Sequence, residues 1–264
     1  MTIIQAIILA IVEGLTEFLP ISSTAHMKFT NPIIGVSSTP FSDMFEIVIQ
    51  LAAILAVVVV YYKKFFDFSR LSFYIKLVIA VIPALVFGAL LKKHIDAALG
   101  NLYIIAVVMI SGGVLFLFID RAFKSPTIDD EKKVSNAAAF KIGCVQVLSI
   151  LLPGLSRSAA TILGGMSQKL TRKAAAEFSF FLAVPTMLAA SAKSFWDVYK
   201  DHHEVLTRDN FSLLGIASVV TFIVAIIVIR FFIGFLQKHG FKVWGYYRIV
   251  VGLVMLLLIW RHII

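Results

Sequence analysis

The stretch EGLTEFLPISSTAH, from Glu13 to His26, places carboxylates, hydroxyls and an imidazole inside an otherwise apolar chain. It follows the apolar segment Ile3 to Val12, whose roughly ten residues are too few to cross a hydrocarbon layer of about 30 Å. Pro20 should end the helix, because proline removes a backbone donor and clashes with the preceding turn. We therefore expect a helix that enters the membrane, stops at Pro20 and returns to the side it came from.

A second polar stretch, LPGLSRSAAT from Leu152 to Thr161, has the same character. It lies inside the hydrophobic segment Val134 to Met166, which Pro153 and Gly154 interrupt, so this segment should also enter and return. Polar groups within a membrane are costly and usually serve a function. The two stretches are together interpreted as one divided active site with the ingredients of a phosphate site.

The composition indicates a membrane protein. The 264 residues are 60% hydrophobic and 15% charged, with a mean hydropathy of +0.95, whereas soluble domains carry roughly 25% charged residues. Apolar runs long enough to span a bilayer cover Phe45 to Tyr62, Leu71 to Leu91, Leu102 to Ile119, Ala174 to Ala192, Phe211 to Leu236 and Tyr246 to Ile264. The prediction is an all-α polytopic protein, a single integral-membrane domain over 1–264, with six transmembrane helices and two re-entrant helix hairpins.

Other classes of protein are disfavoured. Cys144 is the single cysteine, and no Cys/His cluster has zinc-ligand spacing. The first positive charge is Lys28, so the apolar start does not resemble a secretory signal peptide. The net charge of +9 comes from residues at span ends, where they act as topology signals and contact anionic lipids. Nucleic-acid binding is not expected, because no basic face with aromatic platforms is present.

The distribution of basic residues predicts the orientation in the membrane. If both interrupted segments are re-entrant, one face carries Lys63, Lys64, Arg70, Arg121, Lys124, Lys132, Lys133, Lys169, Arg172, Lys173, Lys238 and Lys242, and the other carries Lys28, Lys92, Lys93, Lys193, Lys200, Arg208 and Arg261. The positive-inside rule makes the first face cytoplasmic. Both termini and the first hairpin then lie on the outer side, and the second hairpin opens from the cytoplasm.

An internal repeat favours the same arrangement. Leu-Pro followed by hydroxyl residues occurs at Leu19 and again at Leu152. Glu46 follows Pro20 by 26 residues, and Glu177 follows Pro153 by 24. Three spans per half is an odd number, so the halves, about 1–133 and 134–264, should be inverted relative to each other, as in many transporters. The alternative is a chance match between two common membrane kinks.

Glu13 and Glu17 are four residues apart and therefore share one helix face. Two adjacent carboxylates repel unless a shared proton, a divalent cation or an arginine neutralises them. Magnesium takes one or two carboxylates together with substrate phosphate oxygens, which would suit an enzyme with a phosphorylated substrate. The alternative is a structural pair that caps buried backbone groups.

Ser22, Ser23 and Thr24 follow Pro20, where unpaired N–H groups at a helix start bind phosphate well. The same hydroxyls would also serve as simple helix caps.

His26 is a candidate general acid or base, although a buried histidine is often structural. One helical turn could place Ser23 and His26 together as nucleophile and base.

Arg157 is the strongest single candidate for phosphate binding, because its planar fork matches phosphate oxygens and a charge within the membrane needs an anionic partner. Further donors beside it are Ser156, Ser158 and Thr161. The alternative is an internal salt bridge to Glu13 or Glu17, which is compatible with catalysis. Arg230, in contrast, is interpreted as a residue that extends towards the membrane surface.

Both polar stretches, together with EFSFFLAVP at Glu177 to Pro185, closely resemble the bacitracin-resistance family of undecaprenyl-diphosphate phosphatases over essentially the whole chain. The resemblance implies a multi-pass enzyme of the bacterial cytoplasmic (inner) membrane. Such an enzyme removes the terminal phosphate of undecaprenyl diphosphate and so recycles the lipid carrier of peptidoglycan synthesis. Its site is taken to open outward, in agreement with the charge distribution.

Carried over to this sequence, the resemblance implies a catalytic site of Glu13, Glu17, Ser23, His26 and Arg157, and diphosphate contacts from Ser22, Thr24, Ser156 and Thr161, with Ser158 as a neighbouring donor. It also implies a divalent cation, Mg²⁺ or Ca²⁺, held by Glu13 and Glu17. The chain departs from the family pattern at Ala25 and Ala159, where glycine is usual. Both changes are small and leave the chemistry intact.

Other functions are compatible with part of this pattern. A secondary transporter or flippase of lipid phosphates would also use inverted repeats with broken helices. A purely structural membrane protein would not account for so many charged residues beside the two turns. The sequence leaves open whether the protein forms a homodimer.

Overall fold

The computed structural model describes residues 1–67, 71–123 and 125–264, and within these ranges it contains helices and no strand, only an isolated bridge between Ile128 and Leu170. The helices are α1 (Ile3–Thr16), α2 (Ser23–Ile33), α3 (Pro40–Val60), α4 (Tyr62–Phe65), α5 (Leu71–Leu90), α6 (Lys92–Leu99), α7 (Leu102–Ala122), α8 (Asn136–Leu151), α9 (Arg157–Ser167), α10 (Arg172–Asp201), α11 (Arg208–His239) and α12 (Lys242–Trp260).

Six helices, α3, α5, α7, α10, α11 and α12, are long and apolar enough to cross a membrane, which confirms the predicted number of spans. Helices α10 and α11 extend further than their apolar runs, to 30 and 32 residues. Polar turns continue the helix in α10, where Lys193 pairs with Asp197 four residues later. Arg70 and Lys124, which contribute to the predicted charge distribution, lie outside the described residues.

Two short helix pairs, α1 with α2 and α8 with α9, contain the polar stretches. The turns between them end at Ser22 and Ser156, which have φ values of 70° and 77°. Each serine hydroxyl accepts a hydrogen bond from a backbone N–H three residues later, at 3.3 Å. Non-glycine residues rarely adopt positive φ, so both turns are held in place by their surroundings.

The helix contacts are reciprocal between the two halves of the chain. Helix α1 packs on α11 as α8 packs on α5, and α3 packs on α11 as α10 packs on α5. Helices α3 and α10 contact each other, as do α7 and α12. Where α7 contacts α12, a Cβ on Gly113 would lie 2.8 Å from the carbonyl oxygen of Gly245, and a Cβ on Gly245 would lie 2.8 Å from the carbonyl oxygen of Gly113.

The second helix pair depends on one small residue. A Cβ added at Gly143 on α8 would collide with the carbonyl oxygen of Ala80 on α5. Close backbone packing through small residues is typical of membrane helices. Gly143 thus permits the close approach of α8 to α5.

We expect Gly143→Ala to lower the midpoint of thermal unfolding in detergent by roughly 5 °C, because the methyl group must displace the Ala80 backbone. Gly215→Ala on α11 is the matched control, since nothing lies within 4 Å of its added Cβ, and it should leave the midpoint unchanged or slightly higher. Equal midpoints for the two variants would contradict this account of the α5–α8 contact.

Candidate active site

A cavity of about 1280 Å³ reaches from the two polar turns to one end of the helix bundle. Its inner end is lined by Glu17, Ser22, Ser23 and Thr24 of the first turn and by Ser156 and Arg157 of the second. Its outer part is lined by Lys92 and Asp96 of α6 and by Asp201 and His202 at the end of α10. The cavity therefore opens on the face where α1 begins and α12 ends.

The ion pair between Arg157 and Glu17 joins the two polar stretches. Arg157 Nη2 lies 2.5 Å from Glu17 Oε1, and the two side chains are only 15% and 3% exposed. Its Nη1 is buried without a hydrogen-bond partner among the described residues. The arginine thus neutralises a carboxylate and keeps one donor group available for another anion.

Glu17 also organises the groups around its second oxygen. Ser23 donates its hydroxyl to Oε2 at 2.6 Å, and Gln50 on α3 donates its amide to the same atom at 2.9 Å. A carboxylate that accepts a serine hydroxyl in this way can also accept its proton. Gln50 was missed by the sequence analysis, because only the packing of α3 brings it to the site.

Glu13 lies beside Glu17 on the same face of the first helix pair, as its spacing predicts. It is 2% exposed, and its Oε1 has no hydrogen-bond partner among the described residues. An unpartnered buried oxygen is costly and indicates a missing proton or cation. The pair Glu13 and Glu17 therefore offers an unpartnered carboxylate oxygen as a ligand for a positively charged group.

His26 does not bond to Ser23. Its Nδ1 lies 2.7 Å from the carbonyl oxygen of Ser22 and must carry the proton, because a carbonyl can only accept. In the neutral ring, Nε2 then accepts from the Tyr247 hydroxyl at 2.8 Å, and the two rings stack. The sequence-based pairing of Ser23 with His26 is therefore replaced by Ser23 with Glu17. Tyr247 carried no signal in the sequence.

The predicted phosphate-binding hydroxyls divide into two groups. Ser22, Thr24 and Ser156 line the cavity. Ser158 instead donates to the carbonyl of Leu19 at 3.0 Å, and Thr161 bonds to the carbonyl of Arg157 and to Ser179. Ser158 and Thr161 are almost completely buried, so in this structure their hydroxyls hold the turns together rather than face the cavity.

Arg248 on α12 is a further residue that the sequence analysis missed. Its side chain is completely buried, and its guanidinium donates to five main-chain carbonyls: Pro20 at 3.1 Å, Gly154 at 2.8 Å, Leu155 at 3.0 Å, Val108 at 3.3 Å and Met109 at 3.3 Å. These carbonyls belong to both polar turns and to α7. Arg248 is thus positioned to fix the turns relative to each other. The signal in the sequence was an arginine inside the predicted span Tyr246 to Ile264, in addition to Arg261 near the end of that span.

The carboxylate oxygens of Glu13 and Glu17 suit a cation that also binds phosphate oxygens of a substrate. Within 1–67, 71–123 and 125–264, no group of three or more His, Cys, Asp or Glu side chains is arranged to hold a metal ion. Mg²⁺ needs only one or two carboxylates when substrate phosphates supply the other oxygens. Glu17 and the unpartnered oxygen of Glu13 fit that smaller requirement.

Comparison with known proteins adds independent information. The sequence profile of the family described as bacitracin resistance protein BacA matches residues 6–254. The chain is 52% identical to the undecaprenyl-diphosphatase of Flavobacterium psychrophilum, over 98% of this chain and 96% of the relative. It is 49% identical to that of Porphyromonas gingivalis strain W83, over 98% and 97%, and 41% identical to that of Bdellovibrio bacteriovorus, over 98% and 97%.

We expect Arg248→Lys to lower the midpoint of thermal unfolding in detergent by roughly 10 °C, because an ammonium cannot reach all five carbonyls and leaves buried acceptors unpaired. Arg230→Lys is the control, since Arg230 lies on the exposed surface of α11, and its midpoint should not change. If Arg248→Lys matched this control, the carbonyl contacts would not be holding the turns.

Proposed function

The chain belongs to the bacitracin resistance protein BacA family, and on this premise we propose that its cavity is where undecaprenyl diphosphate is hydrolysed to undecaprenyl phosphate and inorganic phosphate. One observation carries the assignment to this cavity. The Arg157 guanidinium pairs with Glu17 and leaves Nη1 unpartnered, and the same Glu17 carboxylate accepts the hydroxyl of Ser23. A cation, a base and a nucleophile therefore converge at the inner end of one cavity.

The diphosphate is held by charge and by helix ends. Arg157 engages the terminal phosphate through its remaining donors. Helices α2 and α9 both begin at this point, and their first backbone N–H groups and dipoles favour an anion. The hydroxyls of Ser22 and Thr24 supply further donors, whereas the hydroxyl of Ser156 donates to Ser158 Oγ at 2.9 Å.

The chemistry starts from the hydrogen bond between Ser23 and Glu17. Ser23 Oγ attacks the terminal phosphorus while Glu17 takes its proton. The bond from that phosphorus to the bridging oxygen breaks, and undecaprenyl phosphate leaves. Water then cleaves the phosphoserine and releases inorganic phosphate. Arg157 stabilises the charge that develops on the transferred group, and His26 is the remaining acid–base group beside the start of α2.

A divalent cation, Mg²⁺ or Ca²⁺, would be held by Glu13 and Glu17 together with phosphate oxygens of the substrate. When bound, it would offset the repulsion between the carboxylates and the diphosphate and polarise a phosphoryl oxygen. The unpartnered Oε1 of Glu13 supports this assignment.

The orientation and the repeat belong to the same proposal. The cavity opens on the face with fewer lysines and arginines, which the positive-inside rule assigns to the outer side of the cytoplasmic membrane. The α1–α2 and α8–α9 pairs are then re-entrant hairpins from opposite sides, within inverted halves 1–133 and 134–264. The reciprocal helix contacts and the two serine caps support this reading.

We expect the purified protein to release phosphate from a prenyl diphosphate of C15 or longer in the presence of Mg²⁺, and Glu17→Gln and Arg157→Lys each to lower kcat/KM by at least about 100-fold. The lysine keeps the charge but loses the fork. Arg230→Lys should retain full activity. Absence of phosphate release by the unmodified protein would refute the function.

The role of Ser23 is tested by the same assay. Ser23→Ala should lose activity as severely as Glu17→Gln, and acid quenching with a ³²P-labelled substrate should trap label on Ser23 of the unmodified protein. If Ser23→Ala keeps most of its activity while Arg157→Lys does not, water is the direct nucleophile.

The proposed orientation is tested with single cysteines in a Cys144→Ser background. Ser37 precedes α3 at the cavity side, and Thr127 lies in the connection between α7 and α8, and both are exposed. A membrane-impermeant maleimide should label Ser37→Cys in intact cells and Thr127→Cys only after permeabilisation. The reverse pattern would place the cavity on the cytoplasmic side.

A further inference from the structure

Gln146 on α8 is a buried polar residue that the proposed chemistry leaves without a role. It is 1% exposed, and neither its amide nitrogen nor its amide oxygen has a hydrogen-bond partner among the described residues. Buried side-chain amides almost always have hydrogen-bond partners. Burial removes the hydrogen bonds that the amide made to water, and an unpaired donor or acceptor gains none in return. The unpaired amide of Gln146 therefore indicates a binding site for a ligand.

The position of Gln146 indicates where that ligand lies. Gln146 and Ser149, one turn later, line the same cavity as Arg157. The unpartnered Nη1 of Arg157 belongs to the other helix of the same pair. The lining of this cavity also includes the apolar residues Ala84, Leu85 and Gly88 of α5, the helix on which α8 packs. Gln146 thus shares one cavity with the anion-binding arginine and with apolar residues suited to hydrocarbon.

The register of the two helix pairs shows what distinguishes Gln146. It precedes Pro153 by seven residues, just as Glu13 precedes Pro20 by seven. The same position therefore carries a carboxylate in the first pair and a neutral amide in the second. A carboxylate there would repel a phosphate group, whereas an amide donates to it. The second pair is thereby suited to an anion and the first to a cation.

We propose that Gln146 donates its amide to the phosphate that stays on the lipid, while Ser23 and Arg157 engage the terminal phosphate. The lipid-linked phosphate joins the terminal phosphate to the hydrocarbon chain, and the cavity that Gln146 lines contains both Arg157 and the apolar residues of α5. Gln146 is then a specificity residue for a prenyl-linked phosphate. This inference rests on the proposed function.

The test is Gln146→Leu, which keeps a similar volume and removes the amide. With farnesyl diphosphate as the substrate, we expect KM to rise roughly 10- to 100-fold, with kcat changed by less than about threefold. The midpoint of thermal unfolding should stay equal or rise, because the variant no longer buries an unpaired amide. The matched variant Gln50→Leu, whose amide does have a partner in Glu17, should instead lower kcat.

Two inhibitors separate the phosphates. Inhibition by farnesyl phosphate should weaken in Gln146→Leu by about the same factor as KM rises, whereas inhibition by inorganic phosphate should be unchanged. A lower thermal midpoint with an unchanged KM would make Gln146 a structural residue and overturn the inference. Weaker inhibition by inorganic phosphate alone would place the amide at the terminal phosphate and also overturn it.

The inference remains testable if the proposed function fails. Farnesyl phosphate should raise the thermal midpoint of the unmodified protein, and this rise does not depend on turnover. Loss of this rise in Gln146→Leu, without loss in Arg230→Lys, would support the Gln146 site even in a protein that releases no phosphate. An unchanged rise in Gln146→Leu would refute it.

Discussion

Two helices that stop inside an apolar bundle leave carbonyl groups without helical partners, and the structure depends on how these groups are satisfied. Arg248 satisfies carbonyls of both turns at once. The Arg248 side chain and the second turn fit only because two neighbouring positions are glycine. A Cβ on Gly112 would lie 2.5 Å from Arg248 Nη2, and one on Gly154 would lie 2.6 Å from the carbonyl oxygen of Ile105. The interaction that supports the site is therefore outside the site and on a different helix.

The site then depends on one carboxylate for its internal order. Glu17 receives hydrogen bonds from three side chains that come from three different helices or turns, Ser23, Gln50 and Arg157. Each of these donors restricts the carboxylate, and the carboxylate in turn orients the serine hydroxyl and the guanidinium. Preorganised groups of this kind stabilise developing charge without the reorganisation that water would need.

The sequence was sufficient for the spans and for the two polar turns, because apolar length and proline position are local properties. It was not sufficient for Gln50, Tyr247 and Arg248, which reach the site only through packing between distant helices. It also suggested His26 as a possible partner of Ser23, whereas in the structure Ser23 bonds to Glu17. The positive φ of Ser22 turns the start of α2, so Ser23 faces back to Glu17 while His26 reaches Tyr247, and no pattern of residue spacing reveals such a turn.

The mutual approach of Gly113 and Gly245, in which each backbone meets the other at an equal distance, has the geometry of an isologous contact, as at the two-fold axis of a homodimer. In a homodimer, every substitution appears twice, so one copy cannot be acidic while the other is basic at the same position. A single chain removes this restriction. Ser23 and Arg157 are each the first residue after a capping serine, so the proposed repeat would allow two different residues at this position of its halves. In the proposed inverted repeat, covalent linkage of the two halves would thus permit an asymmetric reaction centre.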